Sequence, residues 1–206
     1  MPELFMIKIG GRPKGRLIEQ HDMFFGVGDR IGDFVEAINT HWPEVKNTWH
    51  LDAYRQVTRV GNYRIQWQLT SSRKENEVEE NDHNLKLFFI NLGGYLTGEF
   101  EEFHHKLLIV ALTQADAIKQ AKQSDFYKQY SFKDKNTPFN AAAHIDDKQQ
   151  VDIDEIYDVN DLLMGGRLLI TPLSSNELES EEKIPEDHAY IGYLSLKKLR
   201  KLSELG

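Results

Sequence analysis

The residues most able to do chemistry come in pairs: Glu19 with His21, His50 with Asp52, Glu102 with His104, and His144 with Asp146. In each pair an imidazole and a carboxylate stand two positions apart. On an extended strand that spacing sends both side chains to one face. A carboxylate beside an imidazole orients the ring, sets its tautomer and favours its protonated form. Such a pair can act as acid and base. Neutral imidazole with carboxylate also suits a divalent transition metal such as Zn, Fe, Ni or Mn. The candidate ligands are then His21, His50, Asp52, His104, His144 and Asp146. A third use is structural, because a buried imidazole held by a carboxylate satisfies polar groups where a loop meets a sheet. No cofactor other than a metal is indicated.

Two Gly-Gly pairs form a second set of candidates. "GGRPKGR" (Gly10, Gly11, Arg12) and "GGYLTG" (Gly93, Gly94, Tyr95) each follow an apolar run. Glycine-rich backbone can present amide groups to an anion. Neither stretch matches a phosphate-binding loop or a dinucleotide fingerprint. The competing reading is a tight strand exit that needs positive φ. "MGGR" at Met164–Arg167 reads as a hairpin turn for the same reason.

The positions of these residues repeat. Aligning Leu4 with Leu87 without gaps pairs Phe5 with Phe88, Ile7 with Ile90, Gly10 with Gly93, Gly11 with Gly94 and Gly15 with Gly98. It continues through Glu19 with Glu102, His21 with His104, Val27 with Val110 and Asp33 with Asp116. Beyond a longer loop in the second half, "HLD" at His50 answers "HID" at His144. The expected organisation is a first repeat at 1–70, an acidic linker at 71–83 ("SSRKENEVEENDH" within it), and a second repeat at 84–173. An acidic loop, a strand and a C-terminal helix follow at 174–206.

Each repeat reads as strand, loop, strand, helix, strand, strand. "LFMIKI" is a buried strand, and "MFFGV" and "LLIVAL" are the second strands. Phe34, Val35, Ile38 and Trp42 share a helical face that Pro43 ends. Thr113 or Asp116 can cap the matching helix, which carries Ile118 and Ala121. "NYRIQWQL" alternates as a half-buried antiparallel strand does, and "VDIDEIYDV" and "RLLITPL" give strands in the second repeat. The fold class is α+β, mainly antiparallel, in two tandem repeats. Trp42, Trp49 and Trp67 fit a core. "AYIGYLSL" adds a strand, and Leu196, Leu199 and Leu202 share one face of a basic terminal helix.

The Gly-Gly strand end, "IEQHDMFFGVGD" and "HLD" together resemble a bacterial family of unknown function, DUF1543. Its pattern is a Gly-Gly strand end, Glu-x-His-Asp leading into Phe-Val-Val-Gly, and His-Ile-Asp. Gly10, Gly11, Glu19, His21, Asp22, Phe25, Val27, Gly28, His50 and Asp52 match it. The second repeat departs at His105 and Ala111. The resemblance implies the fold and brings no activity with it.

Composition removes several classes of function. A net charge of -8 over 206 residues provides no basic footprint for nucleic acid or anionic lipid. With no cysteine, disulfides, thiol catalysis and thiolate metal sites are excluded. No apolar run reaches the length of a membrane span, and a cytoplasmic location is expected. The expected partner is a small molecule or a protein, a second copy of the chain among them. Three functions remain. The first is a ligand-binding or interaction module with a His- and Glu-lined cleft between the two repeats. The second is a small metal-dependent or acid–base enzyme. The third leaves the His-carboxylate pairs purely structural.

Overall fold

A computed structural model describes residues 1–69, 84–96, 98–130, 132–133, 140–141, 144–145, 155–175, 187 and 189–204. The strands are β1 (Glu3–Gly11), β2 (Gln20–Gly28), β3 (His50–Val57), β4 (Arg59–Val60), β5 (Tyr63–Leu69), β6 (Lys86–Tyr95) and β7 (Glu102–Ala111). They continue as β8 (Phe132–Lys133), β9 (Asn140–Ala141), β10 (His144–Ile145), β11 (Ile156–Asp158), β12 (Gly166–Pro172) and β13 (Ala189–Ser195). The α-helices are α1 (Val35–His41), α2 (Gln114–Ala121), α3 (Asp125–Gln129) and α4 (Leu196–Glu204). Antiparallel sheets with a few helices make the chain α+β. Among the described residues no helix is long and apolar enough to cross a membrane.

The chain divides into two compact units, Met1–Ser72 with Leu163–Gly206, and Arg73–Leu162. In the first unit a four-stranded antiparallel sheet has the order β13-β3-β1-β2. Strand β1 is central because Phe5, Ile7 and Ile9 project to one face and are almost completely buried there. Leu51, Ile38, Trp49, Leu194, Leu196 and Leu199 close the same core. Each such side chain contributes about 1.5–3 kcal/mol by leaving water. Lys8 and Gly10, the alternate positions of β1, lie on the opposite face.

Helix α1 carries Val35 and Ile38 into this core and stops at Trp42, whose φ of -126° and ψ of 76° are not helical. Pro43 follows directly, and a proline disfavours the helical conformation in the residue before it. Asn39 is buried at the helix end with its polar groups used. Its Oδ1 accepts from Trp49 Nε1 at 3.0 Å and from Asn47 N–H at 2.9 Å. Those bonds set the chain's entry into β3.

Strands β4, β5 and β12 form a second sheet in the first unit, with Ile65 opposite Ile170. Gly165 has the positive φ, 89°, expected of the "MGGR" turn. The turn does not join a hairpin, however. Strand β11 is already paired to β6, and β12 pairs with β5. A Cβ at Gly166 would stand 2.3 Å from Gln68 O and 2.6 Å from the Trp67 ring, so that contact admits only glycine.

In the second unit β6 is central, with β7 along one side and β10 and β11 sharing the other. Strands β8 and β9 form a separate two-stranded ladder. Thr113 caps α2 by accepting from Asp116 N–H at 3.1 Å. The helix then buries Ala117 and Ala121 against Phe88, Ile90 and Leu92.

The leucines of α4 separate. Leu199 is fully buried, whereas Leu202 is 52% exposed. Leu199→Ala is expected to cost about 2–5 kcal/mol in urea unfolding, and Leu202→Ala less than about 0.5 kcal/mol. Equal losses would show that the helix is docked through a different face.

Candidate functional site

Three strands meet at one end of the first sheet. Gly10 of β1 lies opposite His21 of β2 on one side and His50 of β3 on the other. Glu19 sits directly before β2. The four residues Glu19, His21, His50 and Asp52 converge. His21 Nε2 is 3.2 Å from Asp52 Oδ2 and 3.6 Å from Glu19 Oε2. His50 Nε2 is 3.2 Å from Asp52 Oδ1 and 3.5 Å from Glu19 Oε1. Each carboxylate thus turns one oxygen to each imidazole, and the four groups alternate around a ring.

The ring has a buried floor and an open rim. The His50 side chain is 9% exposed and that of Asp52 22%, against 46% for Glu19 and 42% for His21. Asp52 Oδ2 is shut off from solvent and has His21 Nε2 beside it at 3.2 Å, outside hydrogen-bond geometry. Lys8 Nζ lies 4.0 Å from the same oxygen, a charge contact rather than a hydrogen bond.

Two bulges shape this arrangement. Lys8 pairs with Ala53 and Ile9 with Leu51, so Asp52 is the extra residue of β3. Across the other side of β3, Ile191 pairs with Ala53 and Leu194 with Leu51. Gly192 and Tyr193 together therefore face Asp52. A bulge adds local twist and re-aims the side chains beside it. Gly192 has φ 144°, and the Tyr193 ring lies over His50 with centroids 4.5 Å apart and planes inclined at 34°.

The glycine pairs have a steric role. Neither lies in the left-handed region; among the described residues the positive-φ glycines are Gly15, Gly61, Gly98, Gly165 and Gly192. Gly10 and Gly11 sit inside the ladder. A Cβ at Gly10 would stand 2.5 Å from His50 Nε2 and 3.1 Å from Asp52 Oδ2. One at Gly11 would strike Val45, and one at Gly94 would strike Tyr130. Arg12 follows β1 directly. Tyr95 ends β6 and donates its N–H to Tyr130 O at 3.1 Å.

In the second unit Gly93 lies opposite His104 on β7 and opposite His144 on β10. Glu102 begins β7 opposite Tyr95. Asp146 lies outside the described residues, and His144 is described only as backbone. Asn91 stands where Lys8 does in the first unit and donates to Glu155 Oε2 at 2.7 Å. Among the described residues no group of three or more His, Asp or Glu is arranged so that it could hold a metal ion.

Lys8 and Tyr193 belong to the site although pair spacing did not single them out. The available signals were an unusual lysine within "LFMIKI" and a glycine inside the strand pattern "AYIGYLSL", which marks a bulge. A further pair lies on the other face of the sheet, where Asp22 stands opposite Ile9. His41, at the end of α1, bonds Asp22 Oδ2 at 2.8 Å. That bond raises the His41 pKa above the ordinary 6.5, against the opposing effect of burial. His105 in the second unit is shifted down, chiefly by burial and then by Lys106.

Residues 16–67 match the family described as Domain of Unknown Function (DUF1543). The matched segment contains Glu19, His21, His50 and Asp52, the whole ring. No curated protein matches the chain. Among solved structures, the crystal structure of a protein Il1583 from Idiomarina loihiensis is similar at 20% identity and a TM-score of 0.53. The match covers 95% of this chain and 99% of that one, and at this identity the likeness is one of fold.

Two outcomes are expected. Gly10→Ala, which forces His50 and Asp52 aside, should cost about 1–3 kcal/mol in urea unfolding and shift the His50 ring signals in NMR spectra. An unchanged His50 signal would mean that the imidazole does not rest on Gly10. His41 holds its proton more tightly in the folded chain than in the unfolded one. Its stabilisation is therefore complete below pH 6.5 and is lost as pH rises through its raised value. Both partners are partly exposed, so Asp22→Asn should remove only about 0.5–1 kcal/mol near pH 5.5 and almost nothing near pH 9. A loss independent of pH would assign Asp22 a role other than pairing with His41.

Proposed function

We propose that the first unit binds a small polar ligand at the open end of its sheet, on the ring of Glu19, His21, His50 and Asp52. The observation that carries this reading is the convergence of two imidazoles and two carboxylates at the sheet end, with the Glu19 and His21 side chains about half exposed. Gly10 then serves to make room for the ring rather than to cradle an anion.

Acid–base chemistry on the same residues is the second reading. It is favoured by the placement of both imidazole Nε2 atoms 3.2 Å from the Asp52 carboxylate. A divalent transition metal is its variant in donor chemistry, since two imidazoles and two carboxylates are suitable ligands, although the four groups as placed are not arranged to hold one.

We also infer that the second unit is a copy of the first module, making the chain a tandem repeat. The support is matching register: a glycine flanked by two histidines in each sheet, and loop glycines Gly15 and Gly98 at φ 86° and 88°. The absence of cysteine fits a reducing compartment such as the cytoplasm.

The test is a thermal-shift screen of small polar compounds on the full chain, repeated with Asp52→Asn. Compounds that raise the Tm of the native chain should lose that effect in the variant while its fold persists. If every stabilising compound acts equally on both, the ring is not the binding site. Elemental mass spectrometry of untagged protein separates the variants. A stoichiometric transition metal whose removal lowers the Tm would replace the ligand reading with a metal centre.

A further inference from the structure

We propose that this chain associates with a second copy of itself through two turn tips, the basic tip at residues 14–18 of one copy meeting the acidic tip at residues 98–101 of the other. The inference is independent of the binding reading above.

The two tips are built alike. The loop between β1 and β2 turns where Arg16 N–H donates to Pro13 O at 3.2 Å. The loop between β6 and β7 turns where Glu99 N–H donates to Leu96 O, also at 3.2 Å. The third residue of each turn is a glycine of left-handed φ, Gly15 at 86° and Gly98 at 88°. A Cβ at either glycine would have nothing within 4 Å to meet, so both turns stand in open space.

Each turn is followed by a large apolar residue in solvent. Leu17 is 96% exposed and Ile18 beside it 77%. Phe100, at the position matching Leu17, is 109% exposed. One exposed leucine is ordinary on a protein surface. A bare apolar side chain at the same place in both turns is not explained by folding, because neither residue belongs to the core of its unit.

Charge distinguishes the two tips. Lys14 and Arg16 flank Gly15, whereas Glu99 and Glu101 flank Phe100. All four are exposed, and among the described residues none of the four forms an ion pair. Arg16 and Glu99 occupy the same position of their turns with opposite sign. A partner that matches both tips must itself offer an acidic apolar tip and a basic apolar one. This chain carries both, so a second copy fits. Docking Leu17 and Ile18 against Phe100 takes all three out of water while the charges pair around them. That gives the apolar centre and polar rim of a protein interface. Two small tips bury less than a standard interface, so a Kd on the order of 10–1000 μM is expected.

Sedimentation equilibrium of the full chain at concentrations spanning that range should show reversible association, into dimers or longer chains alike. Lys14→Glu with Arg16→Glu makes both tips acidic, and Glu99→Lys with Glu101→Lys makes both basic. Each double variant alone should stay monomeric. Mixed in equal amounts, the two should associate, because each then offers the tip the other lacks. Leu17→Ser or Phe100→Ser should weaken association of the native chain at least about fivefold, as truncating an interface anchor does. Every substituted residue is exposed, so each variant should keep the native Tm.

A chain that stays monomeric throughout leaves the tips to a different protein and overturns the proposal. Association that survives both double variants would place the contact on another face and overturn it as well. So would a mixture of the two variants no more associated than its components.

Discussion

Gly10 has no Cβ, and the space this leaves is where His50 sits. A side chain begun there would collide with the imidazole nitrogen and crowd the Asp52 carboxylate. Because β1 is the central strand, the vacancy lies between two neighbours at once, His21 on one side and His50 on the other. A cross-strand position flanked by two residues brings their side chains within reach of a common point. The alternation of β1 then separates the sheet's two functions. Its odd positions build the apolar core, and its even positions, Lys8 and Gly10, leave room for charge and polar contact on the other face.

The bulges convert this vacancy into a shaped opening. A regular ladder would give Asp52 a partner on β1, but the extra residue leaves it unpaired on that side. The second bulge lies directly across it, on a strand that the chain contributes only near its C-terminus. That strand is held at its start by Asp187, which accepts from Thr58 N–H at 2.7 Å and Arg59 N–H at 3.0 Å and lies 3.4 Å from Arg55. It is held at its end by Leu194, Leu196 and Leu199 in the core. Tyr193 can therefore stay exposed without being free to wander, because both ends of its strand are pinned.

The second unit shows how the same register takes different contents. Its central glycine is again flanked by histidines, but the lysine position is Asn91, tied to Glu155. Gly94 makes room for Tyr130 rather than for a valine. His105 packs on Phe126 with ring centroids 5.3 Å apart, whereas Asp22 in the first unit pairs with His41. The two sheet ends therefore offer different chemistry.

Much of this was legible in the residues. Continuous apolar runs marked β1 and β6, Pro43 marked the end of α1, and Thr113 marked the start of α2, because strand burial, proline geometry and capping are local effects. In the first unit the residues paired by i, i+2 spacing are neighbours in space, His21 with Glu19 at 3.6 Å and His50 with Asp52 at 3.2 Å. Pairing between distant segments was not legible. Nothing in "RLLITPL" says that it will join β5, and Leu202 looks as buried as Leu199 until the helix has docked. The sequence by itself determined the types of the main elements, the apolar side of the central strands and the identity of the His and carboxylate groups. Tertiary structure alone decided that Glu19, His21, His50 and Asp52 share one opening, that Lys8 and Tyr193 border it, and that Gly10 must be bare. Those facts depend on register and bulges between strands far apart in the chain, which are set by packing against the whole sheet.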